Sequence, residues 1–327
     1  PTMIKRQYNP ELATGVICAT GTLGQIIPPS IALVLLGDVL SNAYQQAQLS
    51  QGIFSTKTVS VGDLFVGSLI PGLLLVVLYA AYVIGRAFFQ PQSAPSYTPD
   101  PEEREQGVFI AVIKGLLPPI LLIGAVLGSI LSGKATPTEA AAVGAIGATF
   151  LALLQRQLNI SKMMDIVTST TKVTCMVFAI LIGASVFSLV FRGYGGDELI
   201  RSLFDAMPGG VIGATLLVMV VIFLLGFILD FIEITFVVVP IVGPVLLAMG
   251  LDPVWLGVMI AINLQTSFLT PPFGFALFYL RGVAPESIPT STIYRGVIPF
   301  ILIQILMMII LAIWPALATW LPTVVYG

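Results

Sequence analysis

The chain has 327 residues, of which 57% are hydrophobic and 9% charged, with a formal net charge of −2. Soluble domains carry roughly 25% charged residues, and a mean hydropathy of +1.02 defines a polytopic membrane protein with no basic patch for nucleic acid. There is no histidine, and the two cysteines, Cys18 and Cys175, each lie inside an apolar run. Histidine-based catalysis and metal sites built on histidine or clustered cysteine therefore lack their residues. Pro1 stands in mid-pattern with no signal-like segment around it, so a further N-terminal part is expected to precede it.

In chain order, residues 10–37 read as one apolar helix broken at 20–29, followed by a polar loop at 41–62. Residues 64–89 form a span ending near Arg86, and 90–106 is a proline-rich, acidic loop. A span at 108–131 carries Pro118-Pro119. Another at 136–154 opens with Thr-Pro-Thr-Glu, where Pro137 suits a first-turn position and Glu139 a helix N-terminus. Residues 156–171 are amphipathic and suit the membrane interface, 173–191 form a span, and 195–207 are again short and amphipathic. Apolar arms at 211–229 and 231–249 flank Asp230-Phe231-Ile232-Glu233, then a second interrupted helix covers 253–283 and a last span 294–320.

The prolines reveal an internal repeat. A shift of 243 positions places Pro1, Pro10, Pro28 and Pro29 on Pro244, Pro253, Pro271 and Pro272. In each copy a polar or glycine-rich stretch precedes a Pro-Pro pair: Thr20, Gly21, Thr22 and Gly24 in the first, and Asn263, Gln265, Thr266, Ser267 and Thr270 in the second, with Gly274 just beyond. Polar backbone at membrane depth is tolerated only inside protein or along a wet cavity, so both stretches are expected to be unwound and to form an ion or substrate site. Half-helix N-termini beside Pro28-Pro29 and Pro271-Pro272 suit a carboxylate.

The positive-inside rule orients the chain. With Lys5 and Arg6 in the cytoplasm, the spans at 10–37, 64–89, 108–131, 136–154 and 173–191 put the loop at 250–252 outside. The inner loops then hold Lys5, Arg6, Arg86, Arg104, Arg156, Lys162, Lys172, Arg281 and Arg295, against Lys57, Lys134, Arg192 and Arg201 outside. The repeat copies thus enter from opposite faces, as in secondary transporters with inverted repeats. That parity requires 211–229 and 234–247 to form a re-entrant hairpin with Asp230, Glu233 and Thr235 at its tip, and acids at such depth are functional candidates. An ordinary interfacial turn at 230–233 is the alternative.

GTLGQIIPPS (21–30), TPTEAAAVG (136–144) and LTPPFGFALF (269–278), in this order, resemble the large membrane subunit of tripartite ATP-independent periplasmic (TRAP) transporters, of the DctM type. The resemblance covers essentially the whole chain. It implies sodium-coupled import of small organic anions, mostly carboxylates such as C4-dicarboxylates, sialic acid and keto acids, across the bacterial inner membrane. It implies a periplasmic substrate-binding protein and a small four-helix membrane subunit as partners, sodium as the coupling ion, no other cofactor, and no enzymatic activity. It also implies an elevator-type carrier in which the two interrupted stretches make sodium and substrate contacts, with Thr20, Gly21, Asn263 and Thr266 as the sodium ligands, and in that family a first hairpin precedes a segment like 2–8.

The expected architecture is an all-α polytopic membrane protein with inverted repeats, broken helices and a re-entrant hairpin. Its parts are the end of a first repeat (1–37), a loop, span and cytoplasmic linker (38–106), scaffold and connecting spans (107–192), a second repeat (193–290) and a C-terminal span (291–327). A binding-protein-independent carrier of a related broken-helix superfamily shares the repeat. A membrane-embedded enzyme needs convergent catalytic groups, and the sequence offers none.

Overall fold

The computed structural model describes residues 2–95 and 108–326, and every regular element among them is helical. In chain order these are α1 (Thr2–Lys5), α2 (Pro10–Leu23), α3 (Ile31–Ser50), α4 (Val61–Phe89), α5 (Val108–Leu131), α6 (Pro137–Leu154), α7 (Ile160–Gly193), α8 (Gly196–Asp205), α9 (Gly210–Leu225), α10 (Phe231–Glu233), a π turn (Ile234–Val238), α11 (Val239–Ala248), α12 (Pro253–Leu269), α13 (Phe275–Val283), α14 (Thr290–Ile313) and α15 (Ala316–Tyr326). Most of the acidic, proline-rich stretch 90–106 lies outside the described residues. Segments 61–89, 137–154, 160–193, 231–248 and 290–313 are long and apolar enough to cross a membrane.

The chain forms two compact units. In the smaller, Ser96–Ala179, α5 and α6 pack as a pair, with Leu122 against Gly147 and Val126 against Gly144. Small residues let such helices approach closely where lipid gives no hydrophobic drive for association. Helix α6 starts as its sequence predicts: Thr136 and Glu139 form a reciprocal capping box around Pro137.

The larger unit comprises Pro1–Pro95 and Ile180–Gly327. Its surface is apolar as well as its core, and a few polar side chains lie inside. Ile212, Leu216, Ile228 and Leu302 are exposed, while Asn263, Gln265, Thr266, Ser267 and Gln304 are buried. Helix α2 packs on α14, α3 on α11, and α4 on α15. At the first of these crossings the backbones touch. A Cβ added to Gly15 would lie 2.1 Å from Gly296 O, and one on Gly296 would lie 2.2 Å from Glu11 O.

The repeat is visible in local structure. Helices α2 and α12 start at positions related by the same shift. Each has a proline at its start and a side-chain cap: Asn9 accepts from Glu11 N and Leu12 N, and Asp252 accepts from Trp255 N. Both Pro28-Pro29 and Pro271-Pro272 have cis peptide bonds.

Several expected boundaries are corrected. The stretches 20–23 and 263–269 are helical, so the interruptions fall later, at 24–30 and 270–274. The hydroxyls explain this. Thr20 donates to Val16 O, Thr22 to Ala19 O, Thr266 to Ile262 O and Ser267 to Leu264 O. These bonds satisfy each hydroxyl within its own helix, and it is the proline pair, lacking N–H donors and restricting the preceding residue, that stops each helix.

The loop expected at 41–62 is half helix, since α3 runs to Ser50. The remaining turn is held by Gln48, whose Nε2 donates to Lys57 O and whose Oε1 accepts from Lys57 N. Residues 160–193 form one continuous helix rather than an interfacial helix and a separate span. The last span is interrupted at Trp314-Pro315, where Trp314 leaves the helical region at φ −128° and ψ 72°, as the residue before a proline is disfavoured from helix.

Candidate ion and substrate site

The first interruption, the hairpin tip and the helix ends that flank the second interruption border one cleft of about 740 Å³ in the larger unit. The end of α2 contributes Cys18, Gly21, Thr22 and, just past the helix, Gln25. The tip contributes Asp230 and Phe231, α12 contributes Phe268, and α13 contributes Phe275, Ala276 and Tyr279. Neither lysine nor arginine lines it, and Asp230 is its one formally charged residue.

The two interruptions are finished differently. At the first, Ser30 donates to Gln25 O at 2.6 Å and accepts from Leu33 N at 3.3 Å, so one hydroxyl serves both ends of the gap. At the second, Thr270 Oγ1 donates to Thr266 O and Gly274 N to Thr270 O, but α13 starts at Gly274 with no side-chain cap. The first N–H groups of a helix lack intrahelical partners and carry its positive dipole end. Those of α13 belong to Phe275 and Ala276, both on the cleft. Tyr294 Oη donates to Pro272 O and the Cys18 thiol to Ala276 O, bracing this segment.

The hairpin consists of α9 and α11 around the turn 226–230. Asp230 caps α10 through Phe231 N at 2.7 Å, and Glu233 accepts from Asp230 N at 3.2 Å. Both acids are half-buried and engaged with the backbone of the tip. The π turn that follows holds Thr235, fully buried, with no partner for its hydroxyl. Single π turns inside helices occur often at functional sites. The tip presses on the polar end of α12: a Cβ on Gly226 would lie 2.1 Å from Ser267 Oγ.

The candidate residues do not all meet. Gly21, Thr22 and Asp230 line the cleft, whereas Thr20 is exposed. Asn263 lines a different, apolar cleft of about 700 Å³ and donates to Met219 O at 2.7 Å, tying α12 to α9. The four residues expected as sodium ligands, Thr20, Gly21, Asn263 and Thr266, therefore do not share one cavity. Gln265 is buried elsewhere in the interior without a partner. Sequence reasoning missed Gln25, whose Oε1 is buried and unpartnered at the cleft. Its position ahead of the first Pro-Pro pair was the available signal. Among the described residues no group of three or more His, Cys, Asp or Glu could hold a metal ion.

Interrupted helices beside a hairpin tip and a cleft, in a chain with several membrane-length apolar helices, define a multi-pass membrane protein. More particularly, the chain belongs to the family described as "Tripartite ATP-independent periplasmic transporter, DctM component", which it matches over residues 1–317. It is thus a transporter component and not an enzyme.

It is 30% identical over 328 residues to the sialic acid TRAP transporter large permease protein SiaM of Vibrio cholerae serotype O1, covering 100% of this chain and 71% of that protein. It is 30% identical over 323 residues to the C4-dicarboxylate TRAP transporter large permease protein DctM of Pseudomonas aeruginosa, covering 98% of this chain and 69% of that protein. A third relative, the isethionate TRAP transporter permease protein DctMQ of Oleidesulfovibrio alaskensis, is 26% identical over 325 residues, covering 97% of this chain and 46% of that protein.

Proposed function

We propose that this chain is the large membrane subunit of a sodium-coupled importer of small organic anions, carboxylates such as C4-dicarboxylates or keto acids, in the bacterial inner membrane. A periplasmic binding protein delivers the anion, and a small four-helix membrane subunit accompanies the chain. Relatives named for sialic acid, a C4-dicarboxylate and isethionate all concern organic acids that are anionic at neutral pH.

The observation that carries the reading is the charge of the cleft. It has an acid and no base among its lining residues. An anion bound there takes its positive partner from the uncapped start of α13 and from a cation that binds with it. Cation and anion then favour each other's binding, which is the thermodynamic content of coupling. Sodium finds oxygens at Thr22 and the carbonyls freed at 24–29 in the first interruption. In the second it finds them at Thr235 and the carbonyls of 270–272, beside Thr266 and Ser267. Asn263 serves as a tie between helices.

Both interruptions and the hairpin belong to one compact unit, and that unit is the body that moves in an elevator-type cycle. The hairpin is re-entrant, with the loop 250–252 on the periplasmic side.

The test is uptake by proteoliposomes holding the full permease and its small subunit, with the binding protein added outside. Succinate and sialic acid serve as radiolabelled probes. Uptake is expected only with an inward sodium gradient and with binding protein present. Uptake that persists with potassium alone would overturn the coupling. Uptake undiminished without binding protein would instead favour a carrier that works alone.

A further inference from the structure

Three polar side chains meet in the interior of the larger unit, outside the residues that line the cleft. Tyr79 on α4 is 4% exposed, and Gln265 on α12 and Gln304 on α14 are 0% exposed. Gln304 Nε2 donates to Tyr79 Oη at 2.7 Å. Gln265 lies on α12, which packs against both α4 and α14, yet neither its Oε1 nor its Nε2 makes a hydrogen bond, and Gln304 Oε1 has no partner either. Phe300 packs edge-on against Tyr79 at 5.1 Å, keeping the surroundings apolar.

Gln265 stands apart on its helix. Trp255 Nε1 donates to Leu311 O and Asn263 Nδ2 to Met219 O, and Thr266 and Ser267 donate back along α12. Buried polar atoms in native proteins almost always have a partner, and the exceptions point to something bound. In a bilayer no bulk water is close enough to relax the penalty.

We propose that Tyr79, Gln265 and Gln304 enclose a buried water molecule that joins α12 to α4 and α14. The donor set selects water. The two glutamine Oε1 atoms accept, while the Gln265 Nε2 and the Tyr79 hydroxyl donate. A water donates twice and accepts up to twice, and buried waters typically make about three such bonds. A cation needs oxygens without competing N–H groups, and two carboxamides supply N–H groups as readily as oxygens. The water is a polar joint near the C-terminal end of α12, the helix that leads into the second interruption. The inference is independent of which anion is carried.

The test combines a density map with melting curves, both on the full-length transporter complex in nanodiscs. A map near 2 Å resolution is expected to show a peak at hydrogen-bond distance from all three side chains. It should be unchanged when potassium replaces sodium. Gln265→Leu removes the donor and the acceptor that α12 offers the water, leaving it bound to Tyr79 and Gln304 alone, and lowers the melting temperature by several degrees. The triple variant Tyr79→Phe, Gln265→Leu, Gln304→Leu removes every polar member and melts closer to wild type than Gln265→Leu does. A direct bond between the two amides with no peak between them would overturn the proposal, as would a peak lost in potassium. A triple variant at least as unstable as Gln265→Leu would do the same. The map on the wild-type complex decides even where a variant fails to fold.

Discussion

The contact between the hairpin tip and α12 gives the sharpest stability test. In Gly226→Ala the new Cβ would lie 2.1 Å from Ser267 Oγ and 2.9 Å from Ser267 Cβ. Rotating the serine relieves the first contact but not the second, so backbone must move. Overpacking of this kind costs about 1–3 kcal/mol, and a clash with a Cβ belongs in the upper part of that range. At about 2–4 °C per kcal/mol for a body of this size, the melting temperature falls by roughly 5–10 °C.

Ser267→Gly removes both contacts, and the nearest remaining atom, Ile222 O at 3.4 Å, is at ordinary van der Waals distance. The glycine itself costs about 1 kcal/mol in a helix, so the double variant should recover part of the loss. The assay is intrinsic-fluorescence melting in detergent, completed as a double-mutant cycle. Gly226→Ala melting with the wild type, or a double variant less stable than Gly226→Ala, would refute this packing of tip on helix.

Other outcomes follow from the same geometry. Thr235→Val replaces an unpartnered buried hydroxyl by a methyl of similar shape, so stability should hold or rise by about 1 kcal/mol, while the sodium concentration for half-maximal uptake rises; an unchanged sodium dependence removes Thr235 from the site. Asn9→Ala and Asp252→Ala each delete the cap of a repeat-related helix and should each cost about 1 kcal/mol, read as matched drops in melting temperature. Cys18 lines the cleft and Cys175 lies outside it. Cys18 is nevertheless buried with its thiol on Ala276 O, and buried thiols are inert, so in a Cys175→Ser background a small membrane-permeant thiol reagent should leave it largely unlabelled; labelling as fast as at an exposed cysteine would refute this packing. Gln48→Leu should expose the peptide bond after Lys57 to trypsin, because both hydrogen bonds that hold Lys57 come from that amide.

The helix breaks near the Pro-Pro pairs and the α6 capping box were legible in the sequence, because prolines and capping residues act locally and leave a signature at fixed spacing. The extent of the interruptions was not. Thr20, Thr22, Thr266 and Ser267 look like a polar gap, yet each bonds a carbonyl of its own helix and costs that helix little. Asn263 has the composition of an ion ligand, but its Nδ2 donates to Met219 O, a partner on another helix that no local pattern announces. Tyr79, Gln265 and Gln304 come from three distant segments and read singly as isolated polar residues in apolar spans. Only folding brings them together. Helix α3 outran its apolar stretch because its polar half, Ser41–Ser50, keeps good helix formers such as Ala43, Gln45, Gln46, Ala47 and Gln48.

The crossing of α2 and α14 at Gly15 and Gly296 has a mechanical corollary. With main chain lying directly on main chain at this point, the two helices have little room to slide past one another. Because α2 also supplies a wall of the binding cleft, a push or tilt applied anywhere along α14 reaches that wall without being absorbed on the way.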